Sequence, residues 1–278
     1  MTLEDLSTAA GSLLPVVIRS RDSSTVGGAT SPIVIRGYDS TDRAAIREIC
    51  RQAARQTPNP LFQQDNELVA MLFLDYYLDY EPDCCFVAES NGRVVGYIVG
   101  CKCTDDYERV LRRRITPRVL VRIARKIITL QYRRKETYRA LWWYLMMRPG
   151  ALSAEEARPP LDKYPAHSHF NVGRGYRGQG IGYKLGVALE RCLKKRGIKG
   201  IHASLVEKAG ADSISRYLCA RRGYRLISTR SHRVLQRLTG QEYFLKFLVC
   251  DFEHETLNAP ARTGGEQGAE LAPDATLS

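Results

Sequence analysis

The chain has 278 residues, a length that suits one large domain or two small ones. Hydrophobic residues make up 44% of the sequence, which is enough for a packed core and excludes global disorder. The formal net charge of +12 favours anionic partners, such as a phosphorylated cofactor, an acidic substrate, nucleic acid or a membrane surface.

Targeting and redox signals are weak in this sequence. No apolar run reaches the roughly 18 residues that span a bilayer, and no basic segment precedes the short apolar patch at the N-terminus. None of the eight cysteines forms a Cys-x-x-Cys pair, and most lie in strand-like runs. We therefore expect a reduced, intracellular protein without a signal peptide or disulfides, cytoplasmic or, in a eukaryote, nuclear.

The first third of the chain predicts the order strand, helix, helix, strand, strand. Residues 1–31 are rich in Ser, Thr, Gly and Ala and predict a disordered tail. A short strand follows from Ile33, and a helical segment covers Asn66 to Tyr80. The runs CCFVAE and RVVGYIVGCKC flank Asn91-Gly92, a dipeptide that favours a tight hairpin turn.

The next segment, residues 105–163, is strongly basic. Between Arg109 and Arg148 there are thirteen Lys and Arg residues, and only Glu136 opposes them. Thr116-Pro117 predicts an N-cap followed by the first residue of a helix, which has an apolar stripe on one face and arginines on the other.

A glycine-rich loop follows the strand that runs from Tyr164 to Val172. Five glycines fall within ten residues, with Arg174 and Arg177 between them, and a helix-period pattern begins at Ile181. Glycines permit positive φ and close approach of the backbone to a ligand. The free N–H groups and the dipole of a helix N-terminus favour a negative charge, so the loop predicts an anion site.

The last third predicts a strand, IKGIHASLV, a short helix from Ala211 to Arg222, and two further strands. After Phe252 the composition turns to Gly, Ala, Pro and Glu, so we expect a disordered tail over residues 254–278. The fold class predicted is α/β, with a mixed six- or seven-stranded sheet flanked by helices and a helical basic insertion.

Two phosphate-binding patterns overlap in the loop. Gly173-x-Gly175-x-x-Gly178 matches a dinucleotide fingerprint, but Glu207, which ends the next strand, comes too late for its ribose-binding acid. Arg177-x-x-Gly180-x-Gly182 resembles the acyl-CoA pyrophosphate loop of the GNAT superfamily of N-acetyltransferases. The hairpin is also similar to this family's second and third strands, and the strongest match runs from Tyr164 to Tyr224. A GNAT domain over residues 32–253 is therefore expected, with the insertion at about 105–163.

The resemblance implies a binding site for acetyl-CoA between two splayed parallel strands, here HSHFNV and IHASLV. It implies direct attack of an amine on the thioester in a ternary complex. Backbone groups near the end of the first strand would bind the pantetheine arm, and the loop would bind the pyrophosphate. The cofactor-binding residues expected from it are Asn171, Val172, Gly173, Arg177, Gly178, Gln179, Gly180, Ile181, Gly182 and Asp212.

The sequence departs from the family where the acid that protonates the thiolate is expected. Many members read Asn-x-x-Ala/Ser-x-x-x-Tyr-x-x-x-Gly-Phe, and Cys219 stands here in the tyrosine slot. A thiol can in principle protonate a thiolate, although core packing would also explain this cysteine. Tyr217 is a rival acid, but two positions along a helix place it on nearly the opposite face. The N–H of Val172 or Gly173 is the expected donor to the oxyanion.

His169 and Glu207 are the candidate bases. His169 shares a strand face with His167, and an imidazole titrates near neutrality. The structural alternative for His169 is a hydrogen-bonded histidine without a catalytic role. The structural alternative for Glu207 is a solvated surface acid. A metal site formed by His167, His169 and His202 would lack a carboxylate at a fixed spacing, so none is expected.

Three functional interpretations of the insertion stay open beside a plain solvated helix face. It could form one side of the groove that binds an acidic amine acceptor, it could lie on an anionic membrane, or it could bind nucleic acid. Stacking surfaces for nucleic acid would be Tyr132, Tyr138, Trp142 and Trp143. The function predicted is an acetyl-CoA-dependent N-acetyltransferase with an unspecified acceptor. The alternative is a non-catalytic CoA-binding or nucleic-acid/membrane-surface-binding module.

Overall fold

The computed structural model describes residues 32–146, 159–211 and 213–252, so the predicted tails and Asp212 lie outside the described residues. The strands are β1 (Val34–Gly37), β2 (Cys85–Ser90), β3 (Arg93–Cys101), β4 (Ala166–Val172), β5 (Gly200–Lys208), β6 (Arg225–Ser231) and β7 (Tyr243–Asp251). The helices are α1 (Arg43–Arg55), α2 (Pro60–Gln64), α3 (Glu67–Phe73), α4 (Asp75–Tyr80), α5 (Thr104–Val110), α6 (Thr116–Ile128), α7 (Lys135–Met146), α8 (Ile181–Lys195), α9 (Ser213–Arg222) and α10 (Arg233–Thr239).

In the described part of the chain, seven strands form one mixed sheet in the order β1-β2-β3-β4-β5-β7-β6. β1 to β4 pair as antiparallel neighbours, and β5, β7 and β6 form a second antiparallel group. β4 and β5 join the two groups as a parallel pair. Parallel neighbours need a crossover, and α8 provides it. The mixed sheet of six or seven strands predicted from the sequence is confirmed.

The first hairpin turns at Asn91 and Gly92, which have φ values of 49° and 70°. Positive φ at both central residues is the requirement of the hairpin turn that Asn-Gly favours. The helical segment predicted over residues 66–80 is in fact two helices, because Leu74 leaves helical geometry. Phe73, Leu74 and Tyr77, on both sides of this break, are all buried in the core.

Thr116 does not cap a helix, contrary to the sequence prediction. α5 passes through a π-helical turn, Leu111–Ile115, directly into α6, and Thr116 itself has helical φ and ψ. Its hydroxyl is buried without a hydrogen-bond partner among the described residues. Pro117 cannot donate to the preceding turn, and the wider π turn accommodates this missing hydrogen bond.

Two hydrophobic clusters cover the two faces of the sheet. One lies under α1 to α4 and the insertion helices, and it includes Phe73, Tyr77 and Tyr97. The other lies under α8, where a Cβ added to Gly100 of β3 would come within 2.3 Å of Leu189. The glycine therefore allows α8 to approach the sheet closely, which fixes the start of this helix beside the end of β4.

Candidate functional site

A cleft opens where β4 and β5 diverge. Among the described residues, the two strands pair only at Ala166–Ile201 and His167–His202. Beyond these pairs lies a cavity of about 430 Å³, lined by residues 168–172 of β4 and 203–205 of β5. This volume is within the range of small-molecule sites.

The backbone of β4 directs polar groups into the cleft. The N–H of Gly173 donates to the carbonyl of Val95 on β3 at 2.8 Å. Hydrogen-bonded and non-hydrogen-bonded positions alternate in an antiparallel pair, so the N–H groups of Phe170 and Val172 point away from β3 and toward the gap. The expectation that Gly173 could be the oxyanion donor is therefore wrong, and Val172 remains the candidate.

The glycine-rich loop delivers a helix N-terminus to the rim of the cavity. Gly180 is the N-cap of α8 with φ 72°, and as a glycine it provides no side-chain cap for the N–H groups of the first turn. A Cβ added at Gly178 or Gly180 would meet nothing within 4 Å, so backbone conformation rather than crowding requires these glycines. The free N–H groups at this end of α8 suit an anion.

Arg177 adds a positive charge beside these N–H groups. Its Nε donates to the carbonyl of Val172 at 3.1 Å, which fixes the guanidinium at the end of β4. Burial, together with the nearby Arg174, lowers its pKa from the usual value. Arg177 forms no ion pair with a described residue, so a bound phosphate would supply the missing counter-charge.

The expected cofactor-binding residues gather around this cavity. Those that line it are Asn171, Val172, Arg177, Gly178, Gly180, Ile181 and Gly182. Gly173 lies behind, bonded to β3, and Gln179 instead donates to the carbonyl of Gly175 at 3.4 Å within the loop. Asp212 lies outside the described residues. This geometry assembles a site but does not by itself identify its ligand.

The expected acid, Cys219, does not reach the cavity. Its side chain is exposed to solvent, whereas Tyr217 of the same helix lines the cavity. The two residues are about 200° apart around α9, so only one of them can face inward. Partial burial raises the pKa of Tyr217 above its usual value, so its phenol, like an ordinary one, is protonated at neutral pH. The structure thus replaces Cys219 by Tyr217 as the candidate acid.

His169 is held as a neutral structural residue rather than as a base. The amide of Asn171 donates to its Nε2 at 3.1 Å, which engages the lone pair that a base would use. Its ring stacks on Phe73, with the ring centroids 5.4 Å apart. Burial lowers the pKa of His169 to about 4. The prediction of His169 as general base is contradicted by this environment.

The carboxylate of Glu207 also has a structural role, because both of its oxygens accept hydrogen bonds within the fold. One carboxylate oxygen accepts the N–H groups of Ile214 and Ser215 at 2.9 and 3.0 Å, at the start of α9. The other accepts the hydroxyl of Ser215 and the ammonium of Lys246. This buried carboxylate caps α9 and does not line the cavity, so the prediction of Glu207 as base is wrong.

The other two histidines of the possible metal site, His167 and His202, are also hydrogen-bonded. His167 contacts the hydroxyls of Thr104 and Tyr77, both at 2.8 Å, and Nδ1 of His202 donates to the carbonyl of Tyr164 at 2.8 Å. Among the described residues, no group of three or more His, Cys, Asp or Glu side chains is placed to hold a metal ion.

Sequence reasoning missed the buried ion pair between Glu190 and Arg222, which lies at the wall of the cavity. Arg222 also lies over the ring of Tyr183, 4.8 Å from its centroid. A Cβ at Gly186 would approach this guanidinium to 3.2 Å. A glycine inside a helical pattern was the available signal, because it marks close packing against a partner.

Solved structures similar to this chain were found at low sequence identity. One, described as SsHAT, is 23% identical, with 79% of this chain and 98% of that chain covered and a TM-score of 0.53. The structure of yncA from Salmonella typhimurium with its cofactor acetyl-CoA is 16% identical, covers 82% and 99%, and has a TM-score of 0.47. A GCN5-related N-acetyltransferase from Kribbella flavida is 15% identical, covers 79% and 97%, and has a TM-score of 0.45. No family model matches the sequence.

The likeness to SsHAT shows the class of fold. At such identities the likeness to SsHAT concerns the fold alone, and the mixed seven-stranded sheet agrees with it. The chain shares the fold of SsHAT, and the α/β fold with a mixed sheet that the sequence predicted is confirmed. In the described residues, no helix is both long and apolar enough to cross a membrane.

Proposed function

We propose that the chain is an acetyl-CoA-dependent N-acetyltransferase. The observation that carries this proposal is the cleft between β4 and β5, which leads to the uncapped start of α8 beside Arg177. A strand edge suits the amides of a pantetheine arm, and a cationic helix N-terminus suits a pyrophosphate. The GNAT-like fold supports acetyl transfer by analogy.

The reaction would proceed by direct attack. The lone pair of a neutral amine adds to the thioester carbonyl, and the negative charge develops on its oxygen. The N–H of Val172, directed into the cleft, is the proposed donor to this oxyanion. Collapse of the intermediate breaks the C–S bond, and the departing thiolate takes the phenolic proton of Tyr217. The ammonium proton of the intermediate passes through solvent to the resulting tyrosinate, so the amide forms and Tyr217 regains its proton.

Tyr217 is the proposed acid for the departing thiolate. It lines the cavity on α9, and its phenol is protonated at neutral pH and can therefore donate a proton. Cofactor binding is proposed for the cavity-lining members of the set expected from the sequence, residues 171, 172, 177, 178 and 180–182.

Calorimetric titration with acetyl-CoA tests the site. Gly180→Val places a side chain where the pyrophosphate would lie, and we expect binding at least about tenfold weaker. Gly197→Val is the matched control: Gly197 also has positive φ (75°) and open space around it, but it follows the far end of α8. Equal acetyl-CoA binding by both variants would show that the site is assigned wrongly.

Mass spectrometry of the products tests the activity. The protein is incubated with acetyl-CoA and a panel of small amines, peptide N-termini and lysine peptides, and a mass gain of one acetyl group on an amine is expected. Tight acetyl-CoA binding without transfer to any amine would contradict the enzyme and favour a non-catalytic CoA-binding module.

A further inference from the structure

The outward face of α6 combines cations with aliphatic side chains. Arg118, Val121, Arg125 and Ile128 follow one another at spacings of three, four and three, so they share one face of the helix. Val121 is 69% exposed and Ile128 is 79% exposed. Exposed cations continue before and after this face: Arg113, Arg114, Arg133, Arg134 and Lys135.

The turn that ends α6 adds an exposed leucine in a backbone position that favours glycine. Leu130 has φ 53°, and the N–H groups of Leu130 and Gln131 donate to the carbonyls of Ile127 and Lys126. These two bonds define the helix-ending motif whose left-handed residue is usually glycine. Leu130 strains the backbone here and is nevertheless 76% exposed, so burial in the described fold does not explain it.

The fold uses the cations on the adjacent flank of α6 but not those of the outward face. Arg122 and Lys126 both pair with the buried carboxylate of Asp65, at 2.8 and 3.1 Å. Arg118 and Arg125 form no ion pair with a described residue. The outward face, defined here as Arg118, Val121, Arg125, Ile128 and Leu130, therefore presents charge and apolar surface to a partner.

The aromatic side chains argue against nucleic acid as this partner. Tyr132 is buried and its hydroxyl donates to Asp65, and the ring of Trp143 is covered by Arg237 at 4.4 Å. Two of the four expected stacking surfaces are thus already occupied by the protein. The side chains that remain on the outward face are aliphatic, which suits hydrocarbon rather than base stacking.

We propose that the outward face of α6 docks on an anionic lipid bilayer. Its arginines contact headgroup phosphates, while Val121, Ile128 and Leu130 enter the boundary between headgroups and acyl chains. α6 would lie parallel to the membrane plane. This surface is separate from the cavity, and the inference does not depend on acetyl transfer.

Vesicle co-sedimentation of the full chain tests the proposal. Binding is expected to phosphatidylcholine vesicles that contain about 30% phosphatidylserine, and it should weaken steeply as salt rises from about 0.1 to 0.5 M. Pure phosphatidylcholine should bind little. Absence of binding to the anionic vesicles would overturn the proposal.

A charge-preserving variant separates lipid insertion from plain electrostatics. Val121→Asn, Ile128→Asn and Leu130→Asn together should weaken vesicle binding at least about tenfold, because they remove the inserted surface. The matched control changes Val34 and Leu226, which are 54% and 48% exposed on edge strands, to Asn and should bind as the wild type does. Wild-type vesicle binding by the triple variant would contradict insertion.

Leu130→Gly gives a readout that misfolding cannot imitate. Glycine relieves the strain at φ 53°, so the unfolding temperature should stay equal or rise, while vesicle binding falls several-fold. Unchanged vesicle binding by this variant would count against the role of Leu130. A mixed-sequence single-stranded RNA that binds more tightly than the anionic vesicles, with the triple variant unaffected, would overturn the proposal in favour of nucleic acid.

Discussion

At the scale of single residues, orientation determines which of the candidate side chains face the cavity. Cys219 occupies the family's tyrosine slot by sequence, yet α9 turns it to solvent and turns Tyr217 into the cavity. His169 has the residue type of a base, but its neighbours take up its lone pair and bury its ring. Residue type and spacing suggested the candidate catalytic residues. The rotation of each helix or strand about its axis determines which of them face the cavity.

Tyr217→Phe tests the acid. Removing the phenolic proton should lower kcat at least about tenfold with little change in the KM for acetyl-CoA, because the hydroxyl acts only as the thiolate departs. Steady-state kinetics measure both constants. Cys219→Ala is the control and should keep wild-type kcat, since Cys219 is exposed away from the cavity. A loss of kcat in Cys219→Ala with wild-type kcat in Tyr217→Phe would instead identify the cysteine as the acid.

The buried side chain of His169 makes the free energy of unfolding depend on pH. Burial lowers its folded-state pKa from 6.5 to about 4, so the unfolded chain binds the proton more readily between these values. Stability is therefore full above about pH 6.5 and falls as the pH drops toward 4, by up to about 3 kcal/mol from this group.

Urea unfolding of wild type and His169→Gln at several pH values measures this dependence. The variant lacks the titrating group, so its free energy of unfolding should fall less between pH 6.5 and 4 than that of the wild type. Parallel pH curves for the two proteins would show that His169 is not buried in the neutral form.

At the scale of elements, the start of α9 is fixed from the neighbouring strands. Glu207 of β5 accepts the first N–H groups of the helix, and Lys246 of β7 neutralises it at 3.0 Å. Both residues are buried. This arrangement holds α9, and with it Tyr217, against the open ends of β4 and β5, so a residue outside the cavity shapes it.

Glu207→Gln should destabilise the protein by about 3 kcal/mol, because it leaves the buried ammonium of Lys246 without its counter-charge. Chemical denaturation measures the loss. Glu136→Gln provides a comparison in the exposed first turn of α7 and should change stability by no more than about 0.5 kcal/mol. Similar small effects of both substitutions would mean that Glu207 is solvated.

At the scale of the whole molecule, one carboxylate fastens the basic insertion to the core. Asp65, between α2 and α3, lies buried and binds Arg122 and Lys126 of α6. The hydroxyl of Tyr132, in the segment that follows α6, donates to it at 3.0 Å. The insertion therefore has an inner face that the fold neutralises and an outer face whose charge stays available.

Asp65→Ala should lower the free energy of unfolding by about 3 kcal/mol, since it leaves two partly buried cations facing each other without an anion. Thermal or urea unfolding measures the change. Asp106→Ala removes an exposed ion pair with Arg109 in the same insertion and should cost less than about 1 kcal/mol. If the two substitutions lower the free energy of unfolding by the same amount, the insertion is not anchored through Asp65.

Local chemistry explains which features the sequence predicted. Asn91-Gly92, the apolar alternation of the strands and the glycine-rich loop act over a few residues, and each requires a particular backbone conformation. The break at Leu74 and the helical run through Pro117 were not predictable from these patterns. Burial against distant elements and a single π turn decided them.

The sequence by itself predicted an α/β fold with a mixed sheet and a glycine-rich turn at the start of α8, because periodicity and glycine spacing are local properties of the chain. Only the tertiary structure decided which side chains meet. It exposed Cys219, brought Tyr217 to the cavity, and committed His169 and Glu207 to hydrogen bonds. The physical reason is that these outcomes depend on helix rotation and on contacts across the sheet, which residue spacing does not encode.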